Sequence, residues 1–259
     1  MVVDRNGQLG VGDPAPSSRF ENCGDGTVAD HHTGLLWEEK INPSGLEAIT
    51  FVTGRDCTTT PQLLECTDVH DVRNLYGWSA PPVDEAGSTR PDGSAYTDFL
   101  ARLNGDPTVV AATLAEATGN LADDPTICFA NYCDWRLPAI GELRTILVGQ
   151  DGAPGQATTC STDPCIDPEF SAIGGATASS FYWSASSSNS PSSASAWGVY
   201  FAGDLSELTG PVGADRKDSG AFVRAVRAGS CRRLLPPAVV AASATEVVSA
   251  RRALPALNP

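Results

Sequence analysis

Eight cysteines, and the way they are spaced, constrain this chain more than any other feature. Six fall into three close pairs, Cys57 with Cys66, Cys128 with Cys133 and Cys160 with Cys165, while Cys23 and Cys231 bracket everything between them. Eight thiols admit roughly a hundred pairings, so spacing alone does not fix connectivity. The arrangement favours three local staples and one long-range clasp. In the chain-entropy account a local staple contributes about 2 kcal/mol and the clasp roughly 5 kcal/mol, both as upper values. The rival use of such cysteines is a metal or redox centre. No C-x2-C occurs, and the histidines are only His31, His32 and His70, a poor ligand set for zinc. Disulfides are therefore expected, formed in an oxidising compartment: secreted, on the cell surface or periplasmic.

The rest of the composition narrows the class. The chain has 259 residues, 41 % hydrophobic and 19 % charged, which suffices for a packed core. A net charge of −14 argues against nucleic-acid binding, which draws its affinity from Lys and Arg on phosphates. No run approaches the apolar length of a transmembrane helix. The opening MVVDRNGQLG has no apolar signal core, so an export signal is expected to be removed or to lie upstream.

Residues 1–19 are rich in Gly, Pro and Ser and read as an extended lead-in. GTVADHHTGLLW reads as a hairpin, with strands from Thr27-Val28 and Leu35-Leu36-Trp37 and a turn at Thr33-Gly34. Residues 40–94 lack periodicity and read as a long stapled loop. Tyr96, Phe99, Leu100 and Leu103 recur at helical spacing behind a Ser94 cap, with Asn104-Gly105 as the stop. Asp106-Pro107 opens a second helix through Val110, Leu114, Ala117 and Leu121. A third starts at Pro138 with Ile140, Leu143 and Leu147 on one stripe. The last third is β-like: FYWS from Phe181, AWGVYFA over 196–202 and AFVRAVR over 221–227, with a long polar loop before the last. This order indicates α+β, with an antiparallel sheet in which first and last strands are neighbours.

The densest signal is CDWRLP. Pro138 fixes φ and needs no donor, which suits a strand-to-helix corner; Trp135 and Leu137 are expected beneath it and Cys133 tied to Cys128. Arg136 is expected to pair with a buried carboxylate or with carbonyls. A redox role for Cys128 and Cys133 is the weaker reading, since no run of Lys or His adjoins them to activate a thiol.

The ordered set CGDGTVADHHTGLLWEEK, ECTDVHDVRNLYGW, GSAYTDFLARLN, CFANYCDWRLPAIGEL, CSTDPCIDPEF, FYWSASS, AWGVYF and FVRAVR resembles a bacterial extracellular module, typified by the C-terminal domain of the Lcl collagen-like adhesin. The resemblance runs from about Phe20 to Cys231. It implies a C-type-lectin-like fold: antiparallel sheet, two to three helices and long disulfide-stapled loops. It also implies binding rather than catalysis, with varied positions in the last strands of receptor relatives and sulfated polysaccharide as the adhesin's ligand class. On this reading 20–231 is one lectin-like domain. Residues 232–259 are a basic, Ala/Val/Pro-rich tail, either a linker or an assembly arm.

No G-x-S-x-G, H-E-x-x-H, P-loop or G-x-G-x-x-G is present, so no catalytic residue is assigned and the chain is read as a non-enzyme. His31, His32 and the His70-Asp71 pair read as turn residues. No cofactor is assigned. Calcium is the one left open, through Asp25, Asp30, Asp68, Asp71, Asp84, Asp92, Asp163 and Asp167 in turn-rich segments, although no EF-hand loop exists and solvated turn acids are the commoner explanation. The candidate ligand surface is the loop-rich end of the late sheet: Trp197, Tyr200, Asp204, Glu207, Asp215, Arg216, Lys217 and Asp218. An aromatic beside acids and amides suits a neutral glycan or a protein partner; for Trp197 itself a core position is the favoured reading, since a β-prone stretch needs buried anchors. The leading expectation is a secreted or surface-displayed, adhesin-like binding module whose partner is a glycan or a cell-surface protein. The alternative is a structural subunit of an extracellular assembly or filament, joined to copies of itself through the tail. A redox enzyme using Cys128 and Cys133 is the third and weakest.

Overall fold

The computed structural model describes residues 2–3, 9–10, 18–58, 66–80, 90–106, 128–148, 162–188, 194–202 and 211–232. The helix expected at 106–121 lies outside these residues apart from Asp106, as do Cys160 and the tail beyond Arg232. The fold is mixed α+β with mainly antiparallel sheets. A hairpin joins β1 (Val2–Val3) to β2 (Leu9–Gly10). The principal sheet runs in the order β12-β5-β4-β3, from Val226–Ala228, Leu35–Glu38, Thr27–Asp30 and Phe20–Asn22. A late sheet has the order β10-β9-β8, from Val212–Arg216, Ser195–Tyr200 and Phe181–Ser187. A third combines β11 (Gly220–Ala221), β7 (Asn74–Gly77) and β6 (Arg55–Asp56), with β6 parallel to β7.

The hairpin expected at 27–37 is present: Val28 faces Trp37 and Asp30 faces Leu35 in antiparallel register, and Gly34 takes the left-handed φ of 68° that the turn requires. The last strand, β12, pairs with the second strand of this hairpin. The clasp Cys23–Cys231 closes a sequence separation of 208. Cys57–Cys66 and Cys128–Cys133 are also bonded. Cys165 is buried and disulfide-bonded, and its expected partner lies outside the described residues.

Strands β4, β5 and β7 are buried on both faces, so their alternate residues feed two separate hydrophobic layers. Val28, Trp37, Tyr182, Val199, Phe222 and Val226 point into one, against Leu143, Ile146 and Phe170. Ala29, Leu36, Tyr76, Trp183, Ala196 and Val223 point into the other, against Phe99, Leu103 and Trp135. The sheets form the middle layer and short helices cover either side.

Those helices depart from expectation in detail. Residues Ala95–Leu100 wind as a π-helix before α1 (Ala101–Leu103), burying Phe99, Leu100 and Leu103. Ser94 does not cap it; its Oγ accepts from the Gly77 N–H at 3.0 Å, which ties the helix start to β7. Helix α2 covers Ile140–Leu143 and begins two residues after Pro138. There the Glu142 carboxylate accepts from the Ala139 N–H at 2.7 Å. Helix α3 (Pro168–Ile173) is capped by Asp167, whose Oδ1 accepts from Glu169 N and Phe170 N. The stretch 221–227 is not one strand. It breaks between β11 and β12, where Arg224 turns into the interior. Residues 212–216, expected as loop, form the edge strand β10, and the supposed loop 40–94 contains β6 and β7. In both cases the β-pattern is too short and too polar to stand out before its pairing partner is known.

Candidate functional site

The late sheet separates the residues that the sequence groups together. Trp197 shares a face with Val199, which is buried in the first layer, whereas Tyr200 lies on the Phe181 face three positions along. Trp197 and Tyr200 therefore point to opposite sides of one strand. Tyr200 is half-buried, its ring 4.7 Å from that of Phe181 and laid over Gly213, where a Cβ would come within 2.8 Å of it. Burial, then the charge of Asp215 on the same face, pushes the Tyr200 hydroxyl up.

Trp197 is not the core anchor that its β-prone surroundings favour. It is half-buried and belongs to neither hydrophobic layer. Its cross-strand neighbour is the exposed Ala214, too small to cover an indole. Helix α2, with Gly141 open on its surface, packs beside β9. On the next same-face position of β10, Arg216 makes a bidentate pair with Asp218 at 3.0 and 2.7 Å and stays 61 % exposed. Mutual pairing raises the Arg216 value and lowers that of Asp218.

Lys217 does not belong to this surface. Its side chain is buried, with Nζ 4.4 Å from the centre of the Trp78 ring, and burial lowers its pKa while Asp92 partly restores it. Its carbonyl accepts from the Trp78 and Ser79 N–H groups, both at 2.8 Å. Strand β10 ends at Arg216, and at the turn that follows, Lys217 swings inward onto Trp78 while Arg216 stays outside. Asp204 and Glu207 lie outside the described residues.

A second concentration of charge, unforeseen from sequence, is buried. Glu38 Oε1 is 2.8 Å from both Lys40 Nζ and His70 Nδ1, and Oε2 accepts from Ala225 N–H at 3.0 Å. Burial would push the Glu38 carboxyl up, but Lys40 and His70 outweigh it and hold it at about 2. Arg224, 1 % exposed, donates to the carbonyls of Glu38, Gly174 and Ala176 and to Thr177 Oγ1. Lys40 also donates to Val69 O and sits 4.3 Å from the Phe99 ring centre. His70 is thus a buried partner of Glu38 and not a turn residue without a role. The signal was present as charges inside otherwise apolar strands, LLWEEK and FVRAVR. Such charges are buried only when paired.

The aspartates raised for calcium are engaged by the protein. Asp30 and Asp71 are buried ion pairs with Arg19 and Arg73; Asp25 accepts from Thr27, Asp68 from His70 N–H, Asp92 from Ala80 N–H and Asp163 from Ser179. Asp167 caps α3, and Asp84 lies outside the described residues. Among the described residues no three His, Cys, Asp or Glu converge as metal ligands.

The CDWRLP corner is assembled as follows. Trp135, Leu137 and Pro138 are buried, Trp135 Nε1 donates to Phe129 O at 3.0 Å, and the Arg136 backbone exchanges two hydrogen bonds with Val226. The Arg136 side chain pairs with a carboxylate and with the Leu137 carbonyl at 3.2 Å, as expected, but on the outside of the corner and not in its interior. It is 46 % exposed and forks onto Glu142 at 2.7 Å, because alternation puts it opposite Trp135 and Leu137. The disulfide loop holds Ala130 and Asn131 at φ of 51° and 59°. Tyr132 beside it lies between Arg227 and Arg232, 3.8 and 4.2 Å from its ring centre.

No helix among the described residues is long and apolar enough to cross a membrane. No curated protein and no solved structure matches the chain. Residues 26–227 do match a known sequence family, described as the Lcl C-terminal domain, a span that begins just before β4 and ends in β12. By that match, over most of its length, the chain belongs to the Lcl C-terminal domain family.

Proposed function

We propose that this is a secreted or surface-displayed, non-catalytic binding module of C-type-lectin-like architecture, which takes a neutral glycan through the rim of the late sheet around Trp197. The observation that carries the reading is the half-buried Trp197, which lies in neither hydrophobic layer and faces the exposed Ala214 across the sheet. A flat indole beside small residues offers a stacking platform, and hydrogen-bonding groups at its edge supply orientation. The adjoining Arg216–Asp218 pair is internally neutralised, so it favours an uncharged partner over a polyanion. The disulfides and the absence of a membrane-spanning helix among the described residues support an extracellular setting.

The test is a screen of immobilised neutral and acidic glycans with the full chain, followed by titration of the best hit against Trp197→Ala. Binding of a neutral glycan, weakened at least tenfold by that substitution, supports the reading. Preference for acidic glycans, or binding indifferent to Trp197, removes it.

A further inference from the structure

The outer edge of β10 is open where the edges of β3, β8 and β12 are covered. Beside β3, helix α3 packs, Asn22 Nδ2 donates to Ile173 O at 3.3 Å and Ser18 Oγ to Phe20 O at 2.9 Å. Beside β12, Arg136 exchanges two backbone hydrogen bonds with Val226. Beside β8, the Trp183 and Ala185 N–H groups donate to the carbonyls of Phe222 and Pro138 at 2.9 and 2.8 Å. Strand β10 has only β9 as a neighbour. The bonds from Tyr200 N–H to Pro211 O and from Lys217 N–H to Ala194 O fix the phase of that ladder. Pro211, Gly213 and Asp215 turn their backbone groups toward β9, and Val212, Ala214 and Arg216 turn theirs outward. Arg216 is closed off, since its N–H donates to Asp215 Oδ1 at 2.7 Å and its carbonyl accepts from Ser219 N–H at 2.9 Å. The outward N–H and C=O groups of Val212 and Ala214 meet no partner among the described residues, and Ala214 is exposed.

This pattern is complementary to itself. Let two β10 strands lie antiparallel about an axis at Gly213. Val212 of each copy then faces Ala214 of the other, in the pairing that exchanges both hydrogen bonds, and every outward group of the two residues is satisfied. Gly213 meets Gly213 at the close, non-hydrogen-bonded position with no Cβ on either side. Pro211, which has no N–H, falls opposite Asp215 at another such position, where none is required. No like charges face each other. The Tyr200 rings, one laid over each Gly213, come together across the axis. Unpaired edge groups are a template for another strand, and the pattern of this edge selects its own copy.

We propose that two copies of this chain join through β10, making one continuous sheet in the order β8-β9-β10-β10-β9-β8. The two-fold axis stands perpendicular to that sheet, so both Trp197 rings lie on one face. The joint stands whether or not a glycan binds there. A contact centred on Val212–Ala214 is small beside the roughly 1,200 Å² of a stable interface, so the dimer dissociates in the micromolar to millimolar range.

The experiment is sedimentation equilibrium of the full chain from about 10 μM to about 1 mM, with amide hydrogen exchange followed over the same range and Ala214→Pro run alongside. The proline removes one outward donor and no bond to β9, and edge strands accept proline there. The expected result is a mass that rises toward the dimer value, Val212 and Ala214 amides slowed at least about twofold, and Ala214→Pro monomeric throughout. A native mass that stays monomeric up to about 1 mM overturns the proposal. So does a dimer that Ala214→Pro still forms, or one that leaves the Val212 and Ala214 amides fast, because another surface would then be the joint. If a thermal melt shows Ala214→Pro unfolded, the exchange of those two amides in the native chain decides alone.

Discussion

The Glu38 carboxylate meets the Lys40 ammonium at 2.8 Å with neither side chain open to solvent. Two residues apart on one chain, they face the same way, into the layer that also holds Phe99 and Tyr76. Removing one member of such a pair leaves the others uncompensated. Glu38→Gln strands Lys40 in the interior and is expected to cost about 3–5 kcal/mol. A fall in the urea midpoint at constant slope checks it.

The same carboxylate sets an acid limit. Its folded value, about 2, lies below the ordinary 4.5. The contribution is thus fully present above about pH 4.5 and is lost as pH falls through 2, amounting to about 3 kcal/mol. The stability difference between the native chain and Glu38→Gln is expected to shrink over that window. Denaturation series from pH 6 to about 2 measure it; a gap unchanged by pH would contradict the assignment.

Arg216 and Lys217 are sequence neighbours with opposite fates. Arg216→Glu is expected to change stability by less than about 0.5 kcal/mol, since exposed pairs contribute little. Lys217→Glu inverts a charge buried over Trp78 and beside Asp92, and is expected to cost more than about 3 kcal/mol. Thermal melts of the two variants decide whether Lys217 is core or ligand surface.

The clasp closes nearly the whole chain. Replacing Cys23 and Cys231 together by Ser is expected to cost roughly 4–5 kcal/mol, the entropy of freeing so long a loop. The free energy of unfolding in urea, compared with the parent under non-reducing conditions, provides the check.

At the proposed site, Trp197→Ala is expected to lower stability by no more than about 1 kcal/mol, because the ring lies in neither hydrophobic layer. Calorimetric titration and a melt on the same sample distinguish lost binding from lost folding.

Several elements were legible before any coordinates. The hairpin at Thr27–Trp37 announced itself by two β-prone runs around Thr33-Gly34, and the helix at Tyr96–Leu103 by its spacing. The cysteine spacing named the three disulfides found among the described residues. Strand β10 was not legible, since VGADR has no apolar alternation of its own and is a strand only because β9 offers it a ladder. The role of Lys217 was hidden for a related reason: it sits in the turn that ends β10, and only the packing of that turn against Trp78 shows that its side chain goes inward.

The candidate surface was half legible. Trp197 could be singled out as an aromatic in a late strand, and its exposure depended on Ala214, a cross-strand neighbour seventeen positions away. The sequence by itself indicated the α+β class, the family and the close cysteine pairs, because these rest on local pattern and on the kinds of residue present. Only the tertiary structure decided which charges are buried and which aromatic stays outside the two hydrophobic layers. Glu38, Lys40, His70 and Arg224 become partners when β5, the 66–72 segment and the approach to β12 are packed together. Burial and pairing are properties of that packing, and no local stretch encodes them.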